Sequence, residues 1–479
     1  MHFGSYSPIS KTSSLAIAGL SAFSLGLTMS LSQALPCEKP EEIVIDLNGP
    51  QKDFGVVVTE HIIQEGELEK PIPDFAVCAK ARAVDGQVPV VVDGNKGELV
   101  EAERRGIRPV KMAIPTPINP AFDTNLYQLL KQGDGNVFFS PYSITECLGM
   151  VYAGTGKNTA AEIGKAMSFG KDAKLTSVEL KKLRTHLSQS LNRSDCKLNI
   201  ANALCVTGIT PKQGYQNIVR DEFGGEIFSG GLAEINGWAS KKTEGKIKEI
   251  LKQLSPDSAC VLLNAVYFKG DWKYAFKAND THKANFHLTN NDKVKVDMMK
   301  QKGGFKVLRG NGMTIVELPY KNSASMVLML PDQADGMAAL EKKLNDGLLL
   351  DLGQRLSQSQ PERIELHLPK FKIEAKCDLV GAMKSLGMKE AFEGDGADFS
   401  VMYDRSDVKI TQIKHKAILE VDEKGSVAAA VTAVGYGLTS SRPTVQLPKI
   451  RFDRPFITII RDRETGANLF MGRINDPTK

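Results

Sequence analysis

Glu423-Lys424-Gly425-Ser426-Val427-Ala428-Ala429-Ala430-Val431-Thr432 is the stretch on which the reading of this chain turns. It joins a glycine, free to bend, to small and partly β-branched residues, a composition that can lie extended in solvent or pack inside a sheet. The runs on either side are apolar and strand-like: Ala417-Ile418-Leu419-Glu420-Val421 before it, Phe452-Asp453-Arg454-Pro455-Phe456-Ile457-Thr458-Ile459-Ile460 after it. About thirty residues therefore join two core strands, far more than an ordinary connection needs. Such a connection is functional or disordered, and the small-residue tract gives this one the composition of a further strand.

The N-terminus reads differently. One basic residue, Lys11, precedes an apolar run from Leu15 to about Leu27, and Ser32-Gln33-Ala34 follows. That order is expected of a secretory signal over residues 1–34, and the run is too short and serine-rich for a spanning helix. No other stretch suits a membrane span, so the expected mature product is secreted, extracellular and soluble. Residues 35–116 form an N-terminal extension, partly disordered in this reading, with apolar runs at Val56-Val57-Val58 and Val88-Pro89-Val90-Val91-Val92. It ends in the proline-stiffened linker Ala113-Ile114-Pro115-Thr116-Pro117-Ile118-Asn119-Pro120.

The 479 residues allow one large domain or two moderate ones, with ample apolar content for a core. The net charge of +5 conceals an acid-rich extension (Glu38, Glu41, Glu42, Glu60, Glu65, Glu67, Glu69). It reads as solvated surface charge and makes no case for nucleic acid. Seven irregularly placed cysteines are no disulfide scaffold. Cys147, Cys205 and Cys260 lie in apolar runs and read as core thiols, Cys37 and Cys78 are a candidate pair under oxidising export, and Cys196 and Cys377 stay unassigned. The sequons Asn192-Arg193-Ser194 and Asn279-Asp280-Thr281 are candidate glycosylation sites in an exported glycoprotein.

Beyond the linker the texture is that of a packed domain. Phe122, Leu126, Leu129 and Leu130 recur at helical spacing, and Ser140-Pro141-Tyr142-Ser143 opens a second helix. Val261-Leu262-Leu263-Asn264-Ala265-Val266-Tyr267-Phe268 reads as a strand buried on both faces, with one asparagine that must find partners. Met326 to Pro331 and Ile364 to Lys370 read as further strands, and helices mixed with mostly consecutive strands argue for an α+β fold.

From about Pro117 to Lys479 the chain resembles the serpins, on motifs in one order along that length. Asn136-Val137-Phe138-Phe139-Ser140-Pro141-Tyr142-Ser143-Ile144, Asn264 with Phe268-Lys269-Gly270-Asp271-Trp272, and Leu368-Pro369-Lys370-Phe371 are three of them. His415-Lys416-Ala417 with Val421-Asp422-Glu423-Lys424-Gly425, and Phe470-Met471-Gly472-Arg473 with Asn475 and Pro477, complete the set. The resemblance implies three β-sheets packed with eight to nine helices and an exposed reactive loop. It implies a monomer with no catalytic residue, cofactor or metal of its own, whose partner is a serine protease. The protease attacks the loop and becomes an acyl-enzyme; the loop then enters the large sheet as a new strand and distorts the protease.

The resemblance places the hinge at Glu423, Gly425, Ser426, Ala428, Ala429, Ala430 and Thr432. Ser140, Ser143, Asn264 and His415 become a polar cluster beneath the point where the sheet parts, and Glu423 pairs with Lys370 at its top, beside Trp272. Sixteen positions beyond Glu423 stands Thr439, making Thr439-Ser440 the first candidate for the cut bond, with Leu438 and then Arg442 as alternatives. Alternate residues of a strand face opposite sides, so Ser426, Ala428, Ala430 and Thr432 would enter the core side, and all are small. Val431 is bulkier than is usual there but falls on the other face.

Other chemistry fits less well. In Gly154-Thr155-Gly156-Lys157-Asn158-Thr159, Val151 stands where a phosphate loop needs its first glycine. The histidines lack zinc spacing, and no G-x-S-x-G elbow occurs. A non-inhibitory serpin, a carrier, chaperone or other binding protein, is the alternative; charged, bulky or proline hinge residues would favour it. Lys171, Lys174, Lys181, Lys182, Arg184 and His186 fall where some relatives bind glycosaminoglycan, although several point to different helical faces.

Overall fold

The computed structural model describes residues 118–426 and 446–479, apart from 132, 193–195, 256–257, 259, 290–291 and 394–395, together with five short strands nearer the N-terminus. The chain divides into Met1–Ala113 and Ile114–Lys479. In the first unit β1 (Thr12–Leu15) pairs antiparallel with β2 (Met29–Ser32), and β3 (Glu42–Asp46), β4 (Phe54–Thr59) and β5 (Ala79–Ala83) form an antiparallel sheet in that order. The Val56-Val57-Val58 run lies in β4. Ala34, Cys37, Cys78 and the Val88–Val92 run lie outside the described residues.

The second unit has ten α-helical segments among the described residues, eight of them seven residues or longer. Their starts are written locally. Asn119 accepts from the N–H groups of Ala121 and Phe122 at 3.1 and 3.2 Å to begin Pro120–Leu130. Ser140 accepts from Ser143 N at 3.2 Å to begin Pro141–Ala153. Each helix has proline at its first position, where the missing N–H has no intrahelical acceptor to lose. In Pro120–Leu130 the buried face is Phe122, Leu126 and Tyr127, whereas Leu129, expected inside, is 37% exposed.

Nine strands make the larger sheet, in the order β18 (Lys449–Arg451), β14 (Pro361–Pro369), β11 (Lys293–Gly310), β12 (Met313–Pro319), β13 (Ala324–Pro331), β19 (Phe456–Asp462), β20 (Asn468–Ile474) and β6 (Val137–Phe139). The ninth, β10 (His282–His287), pairs with the start of β11. The middle of β11 pairs with β14 and its end with β12, so one 18-residue strand joins two of the expected three sheets edge to edge. The expected strand Phe452–Ile460 is not continuous: β18 stops at Arg451 and β19 begins at Phe456. Pro455, without an N–H, interrupts the ladder there.

The six-stranded sheet, which is the sheet expected to receive the loop although the nine-stranded one has more strands, runs β15 (Phe371–Asp378), β16 (Gln412–Val421), β9 (Cys260–Asp271), β7 (Cys196–Val206), β8 (Glu226–Ser229), with the two-residue β17 (Gly425–Ser426) also on β9. From Val261 to Phe268 strand β9 is apolar except for Asn264, because both faces are covered. Val261, Leu263 and Ala265 pack against Ile235, Trp238 and Ala239 of the helix Leu232–Lys242, while Leu262 joins the core that holds Cys147, Leu148 and Val151. Cys147, Cys205 and Cys260 are buried free thiols, Cys196 is buried, and Cys377 is half-buried and free.

Candidate functional site

Strand β16 leads directly into the hinge. Its parallel pairing with β9 runs from Gln412 opposite Val261 to Ile418 opposite Tyr267 and then stops. Asp422 turns the chain back: its carboxylate accepts from Lys424 N at 2.9 Å and Gly425 N at 3.2 Å, and its own N–H donates to Gly425 O at 2.8 Å. Gly425 and Ser426 then pair antiparallel with Asp271 and Gly270 of β9. Gly270 meets Cys196 of β7 on its other edge, so β17 occupies the same edge of β9 that β16 occupies lower down. A Cβ on Gly425 would stand 2.0 Å from Gly270 O, which is why glycine is needed at this approach.

Aromatic side chains hold the turn. Trp272 N donates to Lys424 O at 2.7 Å, Trp272 Nε1 to Asp422 O at 3.0 Å, and Phe276 N to Glu423 O at 2.7 Å. Trp272 stacks on Tyr320 with centroids 4.4 Å apart, and the Tyr320 hydroxyl lies 3.0 Å from Ser426 Oγ, which is wholly buried. Lys370 Nζ is 2.8 Å from the Glu423 carboxylate, which also accepts from Thr281 Oγ1 at 2.8 Å. Burial works to raise the Glu423 carboxyl, but the bonds from Lys370 and Thr281 outweigh it and hold the group below its ordinary range.

Six residues lower along β9, the structure brings Ser140, Ser143, Asn264 and His415 into one network, each of them fully buried. Asn264 and His415 are direct partners across β9 and β16. Ser140 N donates to His415 Nε2 at 3.1 Å, so that nitrogen is unprotonated, and His415 Nδ1 is left to donate to Asn264 Oδ1 at 2.5 Å. The Asn264 amide has three acceptors for its two hydrogens: Ser143 O at 3.0 Å, Ser143 Oγ at 2.5 Å and Asn202 Oδ1 at 2.5 Å. Ser140 Oγ closes the network by donating to Leu469 O at 2.5 Å. Burial pushes the imidazole down to about 3, so His415 is neutral.

Sequence reading missed Asn202, Tyr320, Asp422 and Thr281 in this site. Asn202 had a signal, a polar residue on the buried side of the strand Cys196–Val206; Tyr320 and Thr281 come from distant connecting segments, just after β12 and just before β10, and had none. Ala428, Ala429, Ala430, Thr432, Leu438, Thr439, Ser440 and Arg442 lie outside the described residues. Three of the six residues named for polysaccharide binding on or beside the helix Ala173–Leu191 have acid partners. Lys181 pairs with Glu222 at 3.3 Å, Arg184 with buried Glu146 at 3.1 Å, and His186 lies 3.2 Å from Glu464.

The serpin family profile, described as serine protease inhibitor, matches residues 118–477. Iripin-2 of Ixodes ricinus is 34% identical over 377 residues, 75% of this chain and 93% of the relative. Serpin B3 of Homo sapiens is 32% identical over 390 residues, 75% and 98% of the two chains. Among solved structures, human thyroxine-binding globulin matches with a TM-score of 0.69 at 27% identity, covering 77% of this chain and 98% of that one. Tengpin, a thermophilic serpin in its native state, matches at 0.68 and 27%, covering 77% and 95%. With its ordered motifs, its paired sheets and a family match over most of its length, the chain belongs to the serpin family.

Proposed function

We propose that the protein is a secreted inhibitor of serine-type endopeptidases that acts as a suicide substrate. The observation that carries the reading is the seat of Gly425 and Ser426: where β16 leaves β9, the hinge takes the vacated edge in the direction an inserting strand would follow. Continuing that strand would put Ala428, Ala430 and Thr432 on the side where Ser426 is already buried. On the order of ten new backbone hydrogen bonds at about 0.5–1.5 kcal/mol each would make the insertion almost irreversible. The nucleophile is the protease's own; this chain supplies the bait and the sheet.

Thr439-Ser440 is the first candidate for the cut bond, with Leu438 and Arg442 next. Incubation with pancreatic elastase, chymotrypsin and trypsin tests the reading. An SDS-stable complex is expected with at least one of them, and mass spectrometry of the released C-terminal peptide identifies the bond. Loop cleavage by all three with no complex would favour the binding-protein alternative, the role that thyroxine-binding globulin carries in its name. Export and glycosylation belong to the same proposal, and the N-terminal sequence of protein recovered from medium checks the signal.

A further inference from the structure

The strand that receives the reactive loop's far end carries charge the hinge mechanism does not use. Ile450 and Leu366 are buried, so the residues alternating with them, Lys449 and Arg451 on β18 and Arg363, Glu365 and His367 on β14, share the outer face. Lys302 stands opposite Glu365 and Lys300 opposite His367 on β11. Two rows therefore run across three strands, Lys302-Glu365-Lys449 and Lys300-His367-Arg451, with Arg363 one step beyond.

The middle column is what makes this a built face. Glu365, with only 8% of its side chain exposed, accepts Lys300 and Lys302 at 3.6 and 3.5 Å and His367 Nε2 at 2.9 Å. Burial, more than the opposing pull of Glu365, holds His367 below its ordinary range and so neutral. Five cations thus surround one carboxylate. Lys449 and Arg363 are exposed, and Arg451 has only a 3.9 Å contact with Asp453, which Arg454 holds more closely at 3.1 Å. The basic helix Ala173–Leu191, by contrast, has acid partners for Lys181, Arg184 and His186.

We infer that this sheet face is a docking surface for an acidic patch on the target protease. The inference rests on the inhibitory reading and adds the kind of partner. Lys449 stands nine positions beyond Ser440, a span of at most about 30 Å when extended. A protease domain of about 200 residues is about 40 Å across, so an enzyme seated on the loop overhangs the patch. Charge of opposite sign at that overhang speeds encounter more than it deepens the final trap, because the acyl bond sets the latter.

The test uses the full chain with chymotrypsin or pancreatic elastase, whichever forms the SDS-stable complex, unmodified and with its lysines succinylated into carboxylates. Arg363→Ser/Lys449→Ser/Arg451→Ser removes exposed cations of which, among the described residues, only Arg451 has an acid contact, at 3.9 Å to an Asp453 that Arg454 also holds; Lys171→Ser/Lys174→Ser/Lys182→Ser is the control. Succinylation is expected to raise the association rate constant on the parent chain by about ten-fold at low salt. That gain is expected to vanish at 0.3 M NaCl and in the sheet variant, and to persist in the helix control. No gain on the parent, or an equal gain in the sheet variant, overturns the inference. Salt-sensitive heparin retention lost in the sheet variant, with no succinylation gain, would assign the face to a polysaccharide and also overturn it. If neither enzyme forms a complex but trypsin does, the same comparison is made with trypsin; if none of the three does, the inhibitory reading fails by itself. The face is then read from retention of succinylated chymotrypsin with its active-site serine blocked, where equal retention by parent and sheet variant counts against it.

Discussion

The two ends of the β9–β16 seam are built from different materials. The polar cluster at Ser140, Ser143, Asn264 and His415 is wholly dry and each partner depends on the next. The hinge end, a few residues above, rests on a partly exposed ion pair, a stacked aromatic pair and two residues of strand. Buried networks are costly to break one bond at a time, whereas exposed pairs contribute little. The seam is therefore held more firmly below than above, which is the polarity that the proposed insertion from the top requires.

The comparison is most easily broken from below. Asn264→Ala leaves His415 Nδ1, Ser143 and Asn202 without their shared partner, and stability is expected to fall by about 3 kcal/mol or more; equilibrium or rate-resolved denaturant unfolding reads the loss. Ser426→Glu attacks the top instead. A carboxylate in that dry site against Tyr320 is costly enough to expel β17 from the edge of β9, so the expected result is a loop that is still cut but no longer yields an SDS-stable complex, with a thermal midpoint lowered by no more than the contacts of β17 contribute.

Acid separates the two ends further. The folded His415 sits near 3 against 6.5 when unfolded, so its contribution is complete above pH 6.5 and is lost as pH falls toward 3, by about 1.4 kcal/mol per unit. Asp123 and Glu146, raised to about 7 by burial, act with the opposite sign: their contribution is present below their ordinary range and is lost as pH rises through 7. The measurement is therefore a difference. His415→Gln is expected to narrow its stability gap to the parent as pH drops from 6.5 to 4.5, and a constant gap would show that the imidazole is not what acid acts on. The smallest effect is expected from Lys370→Ala: about 1 kcal/mol or less at neutral pH, detected as a small shift in thermal midpoint.

Much of this site was legible because serpin motifs place residues of constrained type at set positions in the chain. A lone asparagine in an apolar strand demands partners, and serine before proline is a helix start whatever surrounds it. Other features were not legible. Leu129 fits the helical period yet faces outward, because Tyr127 fills the core position beside Glu341. The cations of Ala173–Leu191 read as free charge because Glu146 and Glu222, which pair with them, come from other helices. Pro455 was visible, but whether a proline ends a strand or sits at its edge depends on the neighbour it would have bonded.

By itself, then, the chain's order of residues determined the fold class, the helix starts and the small-residue tract after Glu423, because these follow from local conformational preference and alternation along one strand, whereas the four members of the polar cluster came from the resemblance to serpin motifs. Only the tertiary structure decided that Asn202 completes the cluster, that Tyr320 receives Ser426, that β17 takes the edge of β9 released by β16, and that five cations gather around Glu365. Those outcomes depend on which strands become neighbours and in what register, and residues far apart in sequence carry no local mark of the distance at which they will meet.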